Sequence, residues 1–286
     1  MLLSTQTSLM TARLGYEEGV LALKRAGYDA LDFSLFSMTR NDSPYVTEGW
    51  REYVEAQRRF ADANGIVFNQ SHAPFSFRWD DATVREEIAQ PRVLRSLEIA
   101  AMMGVKAIVV HPLHYCEYLG HEKEMHELNL EYYRSMIPYC REYGIQVAVE
   151  NMWQNERRRR IISYDVAAHP EELAAFIDEL DSEWVTACLD LGHCGLVGED
   201  AAASIRVLGH DRLGALHVHD NNYREDTHTL PGIGLNGICA ALHDINYKGE
   251  FTFEADTFLR NFPNDYLECA AAFMVQTGRY LISKIG

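Results

Sequence analysis

Eight short apolar runs rich in β-forming residues alternate with longer amphipathic stretches along the whole chain: LLSTQTSL, YDALDFSL, GIVFNQSH, AIVVHP, IQVAVEN, VTACLDLGH, LGALHVHD and FTFEAD. Between them lie segments such as WREYVEAQRRFADANG, PRVLRSLEIAAMMG, LEYYRSMIPYCREYG and PEELAAFIDEL. Their apolar residues fall three and four apart, the spacing of a helix with one buried face. Several close on glycine, at Gly65, Gly104 and Gly144, as helices that end in a left-handed residue do. Strands separated by helices impose right-handed βαβ crossovers and a parallel sheet. Eight such units in 286 residues suit closure into an α/β fold of the (β/α)₈ TIM-barrel type. The alternative is an open doubly wound sheet, but the first strand and helix carry no GxGxxG turn of the dinucleotide-binding kind. With no linker, low-complexity tract or break in composition, residues 1–286 are expected to form one domain.

Charge narrows the partners. The formal net charge is −16, so the mean field repels phosphate backbones, and nucleic acid is a disfavoured partner. No apolar run approaches the ~18 residues that span a bilayer, and the N-terminus lacks the basic start and unbroken apolar centre of a secretory signal. The six cysteines form no CxxC pair and lack the density of a disulfide-stapled domain. A cytoplasmic protein with reduced thiols and no membrane contact is the expectation.

The polar residues are informative because they finish the apolar runs. His72 ends the third, His111 the fourth, Glu150 the fifth and Asp190 the sixth, with His193 just beyond; His217 and His219 end the seventh, and Glu254 the eighth. In a barrel these ends converge on the catalytic rim. A carboxylate following VAV or FTF is an ion at the edge of a dry core, costly unless paired or bound to a cation. One strand-end His or Glu is more often a hydrogen-bonded structural residue than a ligand. Repetition at six strand ends points instead to a shared divalent ion, and oxygen and nitrogen donors without thiolate suit Mn²⁺, Mg²⁺, Co²⁺ or Zn²⁺. Side chains alternate along a strand, so His217 and His219 face the same side and Val218 the other. His72 and His111 are expected to touch substrate at this rim.

The segment LHVHDNNYREDTHTLPGIGLNG followed by GEFTFEAD, together with VAVEN and CLDLGH, resembles the xylose-isomerase-like barrel superfamily of sugar-phosphate isomerases and epimerases, from about the third strand to the eighth. By resemblance to its ketose 3-epimerases, Glu150, Asp190, His217 and Glu254 hold one metal ion, and Glu150 and Glu254 also act as the acid/base pair on the two faces of the reacting carbon. The same resemblance gives Glu156 and His193 substrate contacts and implies a homo-oligomer, a dimer or tetramer. It places an arginine after the seventh strand; Arg224 stands one position later than that spacing. The chemistry has its own logic. A carbon-bound proton beside a carbonyl becomes removable when a cation stabilises the enediolate, and a carboxylate can take it and return it.

Two features depart from that pattern. Glu156 is followed by Arg157, Arg158, Arg159 and Arg160, a run that either reads a substrate phosphate or carboxylate or is simply a solvated face. Asp226 and His228, with His219, either hold the metal-binding side chains in place or form an additional metal site. In a second resemblance, His72, His111, Glu150, Asp190, His193, His217, Asp226, His228 and Glu254 align in order with the multi-metal site of apurinic-site endonucleases. The expected function is therefore isomerisation or epimerisation of a small sugar or sugar phosphate with one divalent ion. The alternatives are a multi-metal phosphodiesterase and a metal-dependent dehydratase or lyase acting on a keto-inositol or sugar-like compound.

Overall fold

The computed structural model describes residues 1–156, 158–232 and 234–286. All eight apolar runs are strands: β1 (Leu3–Thr5), β2 (Leu31–Ser34), β3 (Phe68–His72), β4 (Ala107–Val110), β5 (Gln146–Glu150), β8 (Val185–Asp190), β9 (Leu213–His217) and β10 (Phe251–Phe253). The numbering skips to β8 because a hairpin that the periodicity does not announce, β6 (Trp153–Glu156) and β7 (Ile161–Tyr164), rises from the rim after β5. Its turn contains Arg158, Arg159 and Arg160.

Strands β2, β3, β4, β5, β8 and β9 form one curled parallel sheet in that order, and β1 pairs with β10 in parallel. Two single bridges close the ring, Gln6 to Asp32 between β1 and β2, and Val218 to Phe253 between β9 and β10. The fold is a TIM barrel, and the open doubly wound alternative falls.

Side-chain alternation divides each strand between two environments. Ile108, Val147, Val149, Leu189 and Leu216 belong to the main core, against the helices. Val109, Ala148, Cys188 and Ala215 form a separate buried cluster in the barrel interior. Two residues further along the same faces come His111, Glu150, Asp190 and His217, so the inner layer of small side chains is the floor on which the rim groups stand.

The helices are laid down as the apolar spacing predicts, Trp50–Ala63, Gln90–Met102, Glu122–Tyr143 and Pro170–Leu180 among them. Gly144 closes Glu122–Tyr143 at φ +67°. The C-terminal helix Leu267–Ile282 packs over the seam between β1 and β10. A Cβ at Gly278 would stand 2.5 Å from Leu3 Cδ1 and 2.8 Å from Phe253 Cε2, so only a residue without a side chain allows this approach. Phe251 and Phe253 are fully buried beneath it, each contributing about 1.5–3 kcal/mol by leaving water. Among the described residues, no helix is long and apolar enough to cross a membrane, and all six cysteines are free.

Gly278→Val is expected to destabilise the fold by about 1–3 kcal/mol through overpacking, read as a lower urea midpoint; an unchanged midpoint would show that the helix is not seated on this seam.

Candidate active site

Glu150, Asp190 and His217 are the last residues of their strands and Glu254 follows β10 directly, so the four reach the same rim from neighbouring strands. One ligand atom from each lies within 4.8 Å of the others, and all four residues are buried. His217 Nδ1 is 2.7 Å from Glu254 Oε2, 2.8 Å from Glu150 Oε1 and 3.7 Å from Asp190 Oδ2. A ring nitrogen carries at most one proton, so it cannot donate to both near oxygens at once. Glu150 Oε2 is buried without a hydrogen-bond partner, although His111 Nε2 stands 2.9 Å away at an unfavourable angle. At an effective dielectric of ~20, two carboxylate charges 4.8 Å apart repel by about 3.5 kcal/mol. Three carboxylates, one nitrogen donor and a stranded oxygen fit a divalent cation, which Glu150, Asp190, His217 and Glu254 could hold between them.

The ionisation behaviour follows from this crowding. Burial opposes charge on Glu150, yet His217 and His111 hold its pKa well below the carboxylate range. Burial likewise opposes charge on His217, and the Cys188 sulfur with Glu254 and Glu150 raises its pKa well above the usual value. His111, dominated by burial, is lowered.

Neighbouring backbone and amide groups fix the ligand geometry. Gln6 Nε2 donates to Glu254 Oε1 at 2.8 Å. Asn151 ties the ends of β5 and β8 together, its Oδ1 accepting from Asp190 N at 2.7 Å and its Nδ2 donating to Asp190 O at 3.1 Å. Asp190 Oδ1 in turn accepts from His193 N at 2.7 Å and caps the helix Leu191–Val197.

A second cluster adjoins the first through Asp190. His219 Nε2 lies 2.9 Å from Asp190 Oδ2, on the same side as His217, as the alternation requires. His219, Asp226 and His228 bring ligand atoms within 4.8 Å of one another, as do Asp190, His193 and His219. His193 Nδ1 donates to Asn151 O at 2.8 Å and His228 Nδ1 to Glu254 O at 2.9 Å. Both rings therefore aim Nε2 at Asp226 Oδ2, at 3.3 and 2.9 Å. Burial works against charge on both rings. Asp190 and Asp226 nonetheless bring His193 up to about 10, and Asp226 and Glu254 bring His228 up to about 10. Asp226 is held below the carboxylate range by His193 and His228 against the effect of its own burial, and its Oδ1 has no partner.

A cavity of about 410 Å³ opens over the first cluster and is lined in part by His72, His111, Glu150, His193 and Glu254. His72 Nδ1 donates to Ala73 O at 2.8 Å, so its Nε2 accepts from His111 Nε2 at 3.1 Å. Phe75 stacks on His111 with centroids 4.4 Å apart. Asp226 and His228 also reach the cavity wall.

Other expected contacts lie elsewhere. Glu156 is buried on β6 but pairs with Arg159 and is not among the cavity-lining residues. Arg224 is exposed, in a turn whose amides are held by Asn222. Arg158 and Arg160 are exposed on the hairpin turn, and Arg157 lies outside the described residues. No Lys or Arg lines the cavity among the described residues; Arg158, Arg159 and Arg160 are exposed on the hairpin turn instead.

Sequence reasoning missed Gln6, Asn151 and a His114–Asp165 pair in the cavity wall. Asp165 is buried, bonds His114 Nδ1, and accepts from Val166 N at 2.8 Å. The bond to Asp165 raises the His114 pKa against burial. Only Asn151, beside Glu150 in the EN dipeptide, and His114, just past HP, carry any local signal.

A family model described as xylose isomerase-like TIM barrel matches residues 20–274. The D-psicose 3-epimerase of Enterocloster bolteae is 38% identical over 87 residues, 29% of this chain and 27% of that protein. The chain spans about half the length of the first curated relatives it matches. Among solved structures, a D-psicose 3-epimerase in the presence of D-fructose is similar with a TM-score of 0.74 at 18% identity, covering 100% of both chains. The 3-keto-D-glucoside 4-epimerase of E. coli gives 0.70 at 17%, covering 96% of this chain and 99% of that one. At these identities the structural likeness is one of fold.

Asp165→Asn is expected to lower the His114 pKa towards the unperturbed ~6.5, followed by its ring resonances in an NMR titration. Because the folded-state pKa is raised, the pair stabilises the fold fully below ~6.5 and the contribution is lost as pH rises through the folded value. The stability gap between the two proteins should accordingly close on the alkaline side; a gap that widens there would contradict the assignment.

Proposed function

Since the chain belongs to the xylose isomerase-like TIM barrel family, we propose that it is a divalent-metal-dependent isomerase or epimerase of a small sugar. The observation that carries this reading is the convergence of Glu150, Asp190, His217 and Glu254, buried and crowded, on one side of a cavity sized for a small molecule. An ion held there supplies the positive charge that stabilises the anion left when a carbon beside a carbonyl loses its proton. The epimerase among the curated relatives supports the same reading.

The chain's own groups then divide the work. Glu254 is oriented by Gln6 through one oxygen and meets His217 through the other, so it presents a fixed carboxylate to the cavity and takes the proton. Glu150, reaching the site from β5 with one unpartnered oxygen, returns a proton to the opposite face in an epimerisation. Return to a neighbouring carbon gives isomerisation instead. His193, held by Asn151 O and Asp226, shapes the cavity wall, and His111, whose Nε2 proton goes to His72, keeps Nδ1 to accept a hydrogen bond from a sugar hydroxyl. Phe75, Phe77, Trp79 and Trp153 exclude water, which strengthens each of these interactions.

A second reading has its own observation. Asp226 Oδ1 is buried and unpartnered between His219 and His228, which favours an additional ion and, with it, phosphodiester chemistry. Against that stand the net charge of −16 and the absence of Lys and Arg from the cavity lining among the described residues, both unfavourable to a phosphate backbone. A dehydratase or lyase on a sugar-like ketone begins with the same proton removal and differs only in which bond breaks next.

Metal analysis of the purified chain is expected to give one ion per chain, with loss of activity on chelation; two or three ions together with cleavage of abasic DNA would decide for the second reading. Glu254→Gln is expected to reduce solvent-deuterium incorporation into the reacting ketose by ~10²–10⁴-fold, the usual worth of a positioned base. Exchange at the normal rate in that variant would remove Glu254 from the chemistry.

A further inference from the structure

The metal-side cavity does not end at its own wall. A second chamber of about 640 Å³ adjoins it, and the two share Phe77, Trp79, His114, Gln154 and Asn155. The inner chamber alone lies within the ~300–1,000 Å³ range of small-molecule sites, so a single sugar ring leaves the outer one unused.

The boundary between the chambers is firmly built. Gln154 is spent on structure, its Nε2 donating to Tyr164 O at 2.9 Å and its Oε1 accepting from Tyr118 N at 3.3 Å, which pins the hairpin as one wall. Trp79 is buried, packs edge-on against Tyr132 at 5.7 Å and donates its indole N–H to Phe75 O, which fixes the opposite wall. His114 lines both chambers, with Nδ1 committed to buried Asp165, and Nε2 remains as its second polar atom.

The outer lining also has a definite chemistry. Beyond the shared residues it adds Tyr115, Asp80 and Glu117, and no Lys or Arg among the described residues. Two carboxylates without a cation repel a phosphate or carboxylate ligand, and the charge on His114 is matched by Asp165. Aromatic faces beside carboxylate and amide groups suit a ring with an apolar face and hydroxyl edges.

We propose that the cleft binds an uncharged glycoside of a keto-sugar. The ketone-bearing ring occupies the inner chamber, the second ring lies against Trp79 and Tyr115 in the outer one, and His114 Nε2 donates to the linking oxygen. The assignment rests on the sugar-enzyme reading above and excludes sugar phosphates from it.

Calorimetric titration separates the two. Phenyl β-D-glucoside has no ketone and reports the outer chamber without any chemistry; it is expected to bind at least tenfold tighter than methyl β-D-glucoside, and Tyr115→Ala to bring that ratio close to one. Equal binding of the two glucosides, or a ratio untouched by the substitution, overturns the proposal whatever the enzyme does. In D₂O, the phenyl glucoside of 3-keto-D-glucose is expected to exchange with at least tenfold higher kcat/KM than 3-keto-D-glucose, chiefly through KM, and fructose 6-phosphate more slowly than fructose. Faster exchange of the phosphate than of its parent sugar also overturns it. A tenfold glucoside preference in binding with no exchange from any ketone supports the outer chamber and counts against the epimerase reading instead.

Discussion

The rim of this barrel depends on one constraint: three buried carboxylates are held closer together than their mutual repulsion allows in the absence of a counter-charge. The strands cannot move apart to relieve it. Their outward faces, Val147, Val149, Leu189 and Leu216 among them, are locked into the core against the helices, and their inward faces rest on a packed layer of small residues. The repulsion is met instead by imidazoles, which is why the pKa values of Glu150 and His217 move in opposite directions. Hydrophobic packing thus holds in place an electrostatic arrangement that would not persist by itself.

Asp190 links the two halves of the site. One carboxylate caps a helix through His193 N, faces His217 and contacts His219. The histidines that reach Asp226 have their Nδ1 protons pinned by carbonyls belonging to residues of the first cluster, Asn151 beside Glu150 and Glu254 itself. A shift in either cluster is therefore felt in the other, and second partners of this kind set the tautomer and direction of each ring.

In the proposed function, substrate recognition falls to a different layer. The barrel rim brings the acids and histidines, whereas the loop after β3 and the β6–β7 hairpin bring Phe77, Trp79, Gln154 and Asn155. This division suits a fold in which strand ends carry chemistry and loops carry selectivity.

The chain's own periodicity determined the barrel, because an alternation of strand and helix repeated eight times leaves few topologies once crossovers must be right-handed. It also placed acids and histidines at the strand ends, and among these the family resemblance, not the periodicity, singled out Glu150, Asp190, His217 and Glu254 before any coordinates. Tertiary structure alone decided the rest. The hairpin at Trp153–Glu156 and Ile161–Tyr164 is short and stands away from the barrel, without a buried face long enough to leave a periodic trace, and it exposes Arg158 and Arg160 and pairs Glu156 with Arg159. Gln6, Asn151 and the His114–Asp165 pair act through partners as far as 248 residues away in the chain. Distances of that kind are set by how strands close and loops fold back, which no local pattern of residues encodes.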